Sequence, residues 1–324
     1  MRLLLRDLLD GVSGAIKQIA RETAREYRHT SRMLGHDRRS LLDLLVDADS
    51  AGSVFTRAGA AAHASTFRGL GPIYRPSHAE AAMAARRMVD EVKFTGDMAF
   101  DVLAANGVVR KMRSEDGELS VYKPTRGERL ENMEWYYATR GAQTSREIAA
   151  YRLSEILGFG RIPPTARTRG VPGDDKRTGP GMIQQFVESK AARDDTRDYP
   201  LVQRQQMAIL DYIMGAEDRN WANFRSVERG YDVDIVALDH GRCFPITDQP
   251  LEAKVRSPFV IGQVTGDSPL DPEVLAAVRD IDTYRLIAAW TDAGLEPKAI
   301  DGALARLVKV QELGDIPKDA RWDF

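Results

Sequence analysis

The stretch that decides the fold reads Gly215-Ala216-Glu217-Asp218-Arg219-Asn220-Trp221-Ala222-Asn223-Phe224, and after a turn the chain continues to Ala237-Leu238-Asp239-His240-Gly241. Before the loop, residues 201–214 place apolar side chains at helical spacing, and Gly215 follows where a glycine often caps a helix. After the loop, the apolar run over residues 233–238 predicts a buried strand. The sequence therefore predicts a buried helix that leads into a polar loop, and a strand that ends at an aspartate.

The polar side chains of this stretch indicate a site for a cation and a proton acceptor. A hard ion such as Mg²⁺ prefers oxygen ligands and takes few of them from protein, because waters and nucleotide phosphates complete its shell. Asn223 and Asp239 are the candidate metal ligands, and Asp218 is the candidate catalytic base. Taken alone, this spacing is more often found in ordinary loops whose side chains make turns. The prediction therefore depends on the order of the segments upstream.

Two upstream segments supply a cation and a further carboxylate. Residues 119–124 alternate like a strand and carry Lys123, which either projects toward bound phosphates or is a solvated lysine of an edge strand. Residues 144–158 read as a helix in which Glu147 follows Thr144 by three positions. Glu147 either completes a capping box with Thr144 or pairs with Lys123, and the sequence leaves both alternatives open.

Five blocks in one order carry a resemblance to a known family. They are Val121-Tyr122-Lys123-Pro124 with Arg126-Gly127-Glu128-Arg129, Arg146-Glu147-Ile148-Ala149-Ala150-Tyr151, Leu157-Gly158-Phe159-Gly160 with Pro163-Pro164-Thr165, Gly179-Pro180-Gly181-Met182-Ile183-Gln184, and the motifs around Asp218 and Asp239. Over about residues 91–313 the chain resembles the bacterial proteins related to phosphatidylinositol 3- and 4-kinases. More distantly, it resembles the atypical kinases that include the Golgi secretory kinases.

The resemblance implies an α+β fold of the two-lobed protein-kinase-like type, with a small β-rich N-lobe and a larger helical C-lobe. The expected domains are a helical N-terminal extension over residues 1–90, the N-lobe and hinge over 91–190, and the C-lobe over 191–324. The strand predicted over residues 181–188 would lead into the hinge, where the residues expected to meet the adenine are Gln185, Phe186 and Val187. The alternative for these three residues is an ordinary core strand with a polar end.

The implied function is the transfer of the γ-phosphoryl group of ATP to a hydroxyl on a protein, or on a lipid or small molecule. Lys123 and Glu147 would anchor the nucleotide, Asp218 would be the catalytic aspartate, and Asn223 and Asp239 would hold Mg²⁺, with Mn²⁺ as an alternative. Two other functions stay open. One is transfer of AMP from the same cleft, and the other is a nucleotide-binding pseudokinase that acts as a scaffold.

Three departures separate the chain from ordinary protein kinases. A glycine-rich phosphate loop is missing, and the nearest candidate is Phe94-Thr95-Gly96-Asp97-Met98. Ala216-Glu217 stand where protein kinases carry histidine and arginine, and His240 follows Asp239 in place of phenylalanine. These differences favour the lipid-kinase-like branch and leave the acceptor undefined.

Composition excludes several other classes. The formal net charge of −2 over 324 residues argues against bulk binding of nucleic acid, and a single cysteine, Cys243, excludes an internal disulfide and predicts a small core residue. No apolar stretch approaches the roughly 20 residues of a membrane-spanning helix, and the N-terminus does not resemble a secretory signal. We therefore expect a cytoplasmic protein of a bacterium or of a phage that infects one. Residues 1–47 read as a basic amphipathic helix that packs on the kinase body or on a partner subunit, with a membrane surface as the alternative.

Overall fold

A computed structural model of the chain describes residues 74–98, 107–130, 139–230, 232–266 and 268–318. The predictions for residues 1–73, including the basic helix over 1–47, lie outside the described residues. None of the described helices is both long enough and apolar enough to cross a membrane.

The first part of the described chain is organised around a five-stranded antiparallel sheet. Its strands lie in the order β1-β2-β3-β5-β4, and their bounds are β1 (Met88–Val92), β2 (Arg110–Ser114), β3 (Leu119–Pro124), β4 (Thr165–Thr168) and β5 (Gly181–Gln185). β2 and β3 form a hairpin that contains the predicted strand over residues 119–124, and Gly117 in its turn has a φ of 85°, a conformation that glycine adopts without steric cost. β3 is therefore a central strand, because it pairs with β2 on one side and with β5 on the other.

Two helices accompany the sheet, α1 (His78–Ala85) and α2 (Ala142–Ile156). α1 packs against β4 and β5, where Met83, Ala166 and Ile183 form a small apolar cluster. Ser77 caps α1, since its side chain accepts a hydrogen bond from the amide of Glu80. We call α1, α2 and β1–β5 the small lobe.

The remaining elements form a larger and mainly helical part, which we call the large lobe. It contains α3 (Leu201–Met214), the hairpin of β6 (Phe224–Arg229) and β7 (Asp232–Ala237), α4 (Pro258–Thr265), α5 (Pro272–Arg279), α6 (Thr283–Ala293) and α7 (Pro297–Leu313). The predicted α+β class, with a small β-rich lobe and a larger helical lobe, is confirmed. α3 has the predicted bounds, and Gly215 caps it with a φ of 60°.

Helix α2 belongs to the core of the large lobe as much as to the sheet. Ile148, Ala149 and Leu153 of α2 lie in the main apolar cluster together with Trp290 of α6, and the Trp290 indole donates a hydrogen bond to the Ala149 carbonyl at 3.2 Å. Buried Arg146 reinforces the attachment by donating to the carbonyl of Cys243, 97 positions along the chain. Cys243 is itself buried, and burial raises the pKa of its thiol, as fits the predicted core residue.

Several elements differ from the sequence-based prediction. The strand expected over residues 181–188 ends at Gln185, the helix expected from residue 144 begins at Ala142, and β1 begins at Met88, inside the region expected to be a helical extension. The short strands β4 and β6 and the helix α4 were not predicted. β6 matters most, because its pairing with β7 positions the site.

Candidate active site

The base of the β6–β7 hairpin brings together the loop and the strand end that the sequence singled out. Phe224 pairs with Ala237, so Asn223 immediately before β6 lies beside Leu238 immediately after β7. The amide of Leu238 donates to the carbonyl of Asn223 at 2.9 Å, and Asp239 follows directly. Asn223 also reaches back along its loop, because its side-chain nitrogen donates to the carbonyl of Asp218 at 2.6 Å. Antiparallel pairing therefore places Asp218, Asn223 and Asp239 at one end of a two-stranded ribbon.

Asp239 has a left-handed backbone with a φ of 53°. This conformation is uncommon for residues other than glycine, although aspartate tolerates it better than most, and such residues cluster at functional sites. The side chain of Asp239 accepts a hydrogen bond from the Lys123 ammonium at 3.0 Å. The contact joins the large lobe to the central strand of the small lobe.

Lys123 lies between two carboxylates. Its ammonium is 2.6 Å from Oε1 of Glu147 and 3.0 Å from Oδ1 of Asp239. Burial disfavours the charged amine, but the negative charges of Asp239 and Glu147 outweigh it and raise the pKa of Lys123. Because β3 is a central strand, the interpretation of Lys123 as a solvated edge-strand lysine is wrong.

Glu147 is a buried partner of Lys123 and does not cap its helix. Oε2 of Glu147 accepts from the backbone amide of His240 at 3.0 Å and lies 3.2 Å from Nδ1 of the same residue. Burial acts against the Glu147 anion, but Lys123 and His240 more than compensate, so the pKa of this carboxyl lies well below its usual range. For His240 burial dominates and lowers the pKa, so its ring is neutral near pH 7.

Another carboxylate supplies the cap of α2. Glu128 accepts hydrogen bonds from the amides of Gly141 at 2.6 Å and Thr144 at 2.9 Å, and from the Thr144 hydroxyl at 2.9 Å. The predicted capping box between Thr144 and Glu147 is therefore not formed. Because the cap comes from a residue outside the helix, Glu147 is available to face Lys123.

A cavity of about 270 Å³ lies between the lobes beside these residues. The predicted site residues that line it are Lys123, Gln185, Phe186, Val187, Asp218, Asn223 and Asp239, while Glu147 stands behind Lys123. The apolar part of its lining comes from Phe94, Met98, Val109, Val121, Val236 and Leu238. A larger cavity of about 460 Å³ on the other side of Gln185 and Val187 contains none of Lys123, Asp218, Asn223 or Asp239. A third cavity of about 490 Å³, next to α3 and α4, also contains none of these four residues. Volume would favour either of the larger cavities, but the smallest of the three holds the convergent charges and is the functional candidate.

The segment Phe94-Thr95-Gly96-Asp97-Met98, the nearest candidate for a phosphate loop, contributes mainly apolar contact. Phe94 and Met98 line the cavity, and the Phe94 ring lies 6.4 Å from the Phe186 ring, centre to centre. Asp97 accepts from the Arg225 guanidinium at 2.9 Å. Within the described residues, this segment brings an acidic side chain and an aromatic ring to the cleft.

Two residues that the sequence analysis did not select support the site. The Arg219 guanidinium is buried and donates to the carbonyls of Asn223 at 2.5 Å and Leu238 at 2.7 Å, so it ties the loop to the strand end. The exposed amide of Asn220 donates to Oδ1 of Asp218 at 3.0 Å and orients that carboxylate. The role of Arg219 could have been predicted from Asp211, a charged residue in the middle of α3. A carboxylate on a buried helix face requires a partner, and Arg219 in the following loop is that partner.

The donor set fits a hard cation completed by a phosphorylated ligand. Within the described ranges, no group of three or more His, Cys, Asp or Glu side chains could hold a metal ion by itself. The side-chain nitrogen of Asn223 donates to the backbone carbonyl of Asp218, so the side-chain oxygen of Asn223 is left to accept from a ligand. Asp239 lines the same cavity. One amide oxygen and one carboxylate are what Mg²⁺ requires when phosphates supply further ligands.

No protein-family model and no curated protein matches this chain. Solved structures do match it. The Golgi casein kinase with Mn/ADP bound is 16% identical at a TM-score of 0.49, over 72% of this chain and 73% of that chain. The Helicobacter pylori proinflammatory kinase CtkA is 12% identical at a TM-score of 0.43, over 72% and 94%. The Rio2 kinase-ADP/Mg²⁺-phosphoaspartate complex from Chaetomium thermophilum is 13% identical at a TM-score of 0.36, over 84% of this chain and 95% of that chain. At these identities and TM-scores the likenesses assign no activity to this chain.

Proposed function

We propose that this protein is an ATP- and Mg²⁺-dependent kinase that transfers the γ-phosphoryl group to a hydroxyl of a protein, lipid or small-molecule acceptor. One observation carries the proposal. The Lys123 ammonium is held by Glu147 and Asp239 at a cavity that Asp218 and Asn223 also line. A fixed cation, a pair of oxygen ligands and a half-buried carboxylate around one cleft are the groups that phosphoryl transfer requires.

The role of Lys123 follows from its environment. Two carboxylates keep the amine charged, so it presents a permanent positive charge to an anionic ligand in the cleft. Glu147 is buried and also bonded to His240, so this partner holds a fixed position and aims the ammonium. Such a positioned cation contributes by orienting the triphosphate and by offsetting its charge, at no cost of reorganisation during transfer.

Asn223 and Asp239 would hold the divalent cation, whose chemical contribution is to neutralise charge on the phosphates. Asp218 lines the same cavity and is oriented by Asn220. It would accept the proton of the acceptor hydroxyl as the new oxygen–phosphorus bond forms. The bond between the γ-phosphorus and its bridging oxygen breaks, and ADP leaves with that oxygen.

At a finer level, we place the protein with the bacterial relatives of phosphatidylinositol 3- and 4-kinases. The order of the five sequence blocks supports this placement, and so does the contact between His240 and Glu147, which uses the residue that distinguishes this chain from ordinary protein kinases. This placement describes the cleft and leaves the chemical nature of the acceptor to experiment.

The experiment is incubation of the full-length protein and a host extract with ATP labelled at the γ- or the α-phosphate. Label that reaches an acceptor from the γ-position alone is the expected result. Acceptor labelling from the α-position would replace the proposal with AMP transfer, since the β- and γ-phosphates leave in that reaction. No transfer from either position, with nucleotide binding intact, would indicate a scaffold.

A further inference from the structure

Gln184 presents a single hydrogen-bond acceptor to the cavity. Gln184 on β5 pairs directly with Val121 on β3 and with Thr165 on β4. Residues directly opposite in antiparallel strands place their side chains on one face of the sheet, so Gln184 shares a face with Val121 and lines the same cavity. A buried amide on a cavity wall requires an explanation, because an unpaired polar group is costly there.

A hydrogen-bond relay fixes the orientation of this amide. The Thr165 hydroxyl donates its proton to the carbonyl of Pro163 at 2.8 Å. Its oxygen can therefore only accept from Gln184, and the Gln184 side-chain nitrogen donates to it at 2.8 Å. With the nitrogen directed to Thr165, the side-chain oxygen Oε1 is the atom left over. Oε1 has no protein partner among the described residues, and it is not one of the buried side-chain atoms that are closed to solvent.

The two backbone donors that follow Gln184 are already committed. The amide of Gln185 donates to the carbonyl of Pro164 at 2.9 Å, and the amide of Phe186 donates to the carbonyl of Leu119 at 3.1 Å. Neither of these two amides is available to a base in the cleft. The Gln184 oxygen is therefore an oriented polar atom on the cavity wall that does not compete with them.

We infer that Gln184, held by Thr165, selects a purine that carries a 6-amino group over one that carries a 6-oxo group. This inference rests on the proposed function, since it concerns the base of the nucleotide that the cleft binds. Adenine presents an amine donor at position 6, whereas guanine and hypoxanthine present an oxygen acceptor there. The Gln184 oxygen accepts a hydrogen bond from a 6-amino group and repels a 6-oxo group. Buried polar sites discriminate strongly against a ligand that leaves them unpaired.

The test compares the binding of Mg²⁺-ATP, Mg²⁺-ITP and Mg²⁺-GTP to the full-length protein by calorimetry. ITP has the 6-oxo group without the 2-amino group of GTP, so it isolates position 6. The wild type is expected to bind ATP at least about tenfold more tightly than ITP. Gln184→Met should bring the ratio of the two affinities toward one, because it removes the acceptor and keeps the apolar volume.

Thr165→Val provides the sharper variant, because Gln184 stays in place while its nitrogen loses the one partner that it has among the described residues. The freed amide can turn its nitrogen toward the cavity and donate to a 6-oxo group, so ITP is expected to bind more tightly than it does to the wild type. A variant that was merely damaged would not gain affinity. Thr168→Val, at the other end of β4, makes the same change of side chain and should leave the ratio of ATP to ITP affinity unchanged.

The outcomes separate the two proposals. A wild type that rejects GTP but accepts ITP would overturn the role of Gln184 and assign the discrimination to the 2-amino group. A wild-type ratio that persists in both Gln184→Met and Thr165→Val would overturn it as well, while the kinase proposal would stand. A wild type that binds none of the three nucleotides would contradict the proposed function and this inference together.

Discussion

Arg219 and Asp211 form an ion pair that is closed to solvent at both ends. The guanidinium contacts Oδ1 of Asp211 through Nε at 3.1 Å and Nη2 at 3.0 Å, and both side chains are almost completely buried. Because the same guanidinium donates to the carbonyls of Asn223 and Leu238, this pair fixes the spacing between the loop and the strand end. The Asp211 carboxylate is held in turn by the Ser257 hydroxyl at 2.7 Å. The separation of the two proposed metal ligands therefore depends on a helix that does not touch the cleft.

Arg219→Lys keeps the charge and removes the planar fork that reaches two carbonyls and a carboxylate at once. We expect phosphoryl transfer to fall by roughly tenfold to a hundredfold, because a small displacement of catalytic groups has an effect of that size. The free energy of unfolding should fall by about 1–3 kcal/mol, since a buried carbonyl loses its donor. Label transfer and thermal unfolding measure the two effects. The control is Arg193→Lys, in an exposed pair with Glu228, which should change neither the rate of transfer nor the free energy of unfolding. Transfer at the wild-type rate by Arg219→Lys would contradict the positioning role of Arg219.

Glu80 attaches α1 to the body of the protein. Its carboxylate accepts from the buried Arg152 guanidinium at 2.6 Å and from the Tyr74 hydroxyl at 2.7 Å. Glu80→Ala leaves Arg152 buried with Asp292 as its remaining carboxylate, and we expect a loss of about 3 kcal/mol in the free energy of unfolding. Thermal unfolding measures it. Glu115→Ala, in an exposed pair with Arg87, is the control and should shift stability by less than about 0.5 kcal/mol. An unchanged melting temperature in Glu80→Ala would mean that α1 does not dock as described.

Asp301 makes stability depend on pH. Its Oδ1 is buried without a partner among the described residues, and burial raises the pKa of the carboxyl to about 8, although the nearby Lys298 opposes the shift. The folded protein keeps a proton on Asp301 that the unfolded chain releases near the usual pKa of 3.8. The contribution of this carboxyl to the free energy of unfolding is therefore fully present below about pH 4 and is lost as the pH rises to about 8. Asp301→Asn stays neutral, so its advantage in melting temperature over the wild type should be larger at pH 8.5 than at pH 5. An equal difference at both values would contradict the assignment.

The sequence predicted the elements whose signals are local. Residues 201–214 and Gly215 carry both the periodicity and the cap of α3, and the apolar run before Asp239 predicted β7. The predicted site residues also converge, because Lys123, Asp218, Asn223 and Asp239 each lie at the end or in the middle of one of these recognisable elements.

The remaining elements depend on partners that are distant along the chain. β6 reads as polar, yet Arg225 is buried because it bonds to Asp97 and Ser189, 128 and 36 positions away. The choice between two roles for Glu147 was likewise settled by Glu128, which caps α2 from outside the helix. α4 resembles a strand in composition, and only Ser257 with Pro258 at its start marks it as a helix.

The most direct test of the central claim is a paired measurement on Asp218→Asn, of Mg²⁺-ATP affinity by calorimetry and of γ-label transfer in the presence of acceptor. The substitution removes the proton acceptor and keeps a side chain of the same size beside Asn220. We predict an affinity within about threefold of the wild type and a loss of transfer of roughly 10²–10⁴-fold. Asp198→Asn, at an exposed carboxylate, is expected to match the wild type in both. Transfer that survives in Asp218→Asn, or that is lost only because ATP no longer binds, would contradict the assignment of Asp218 as the base of a kinase.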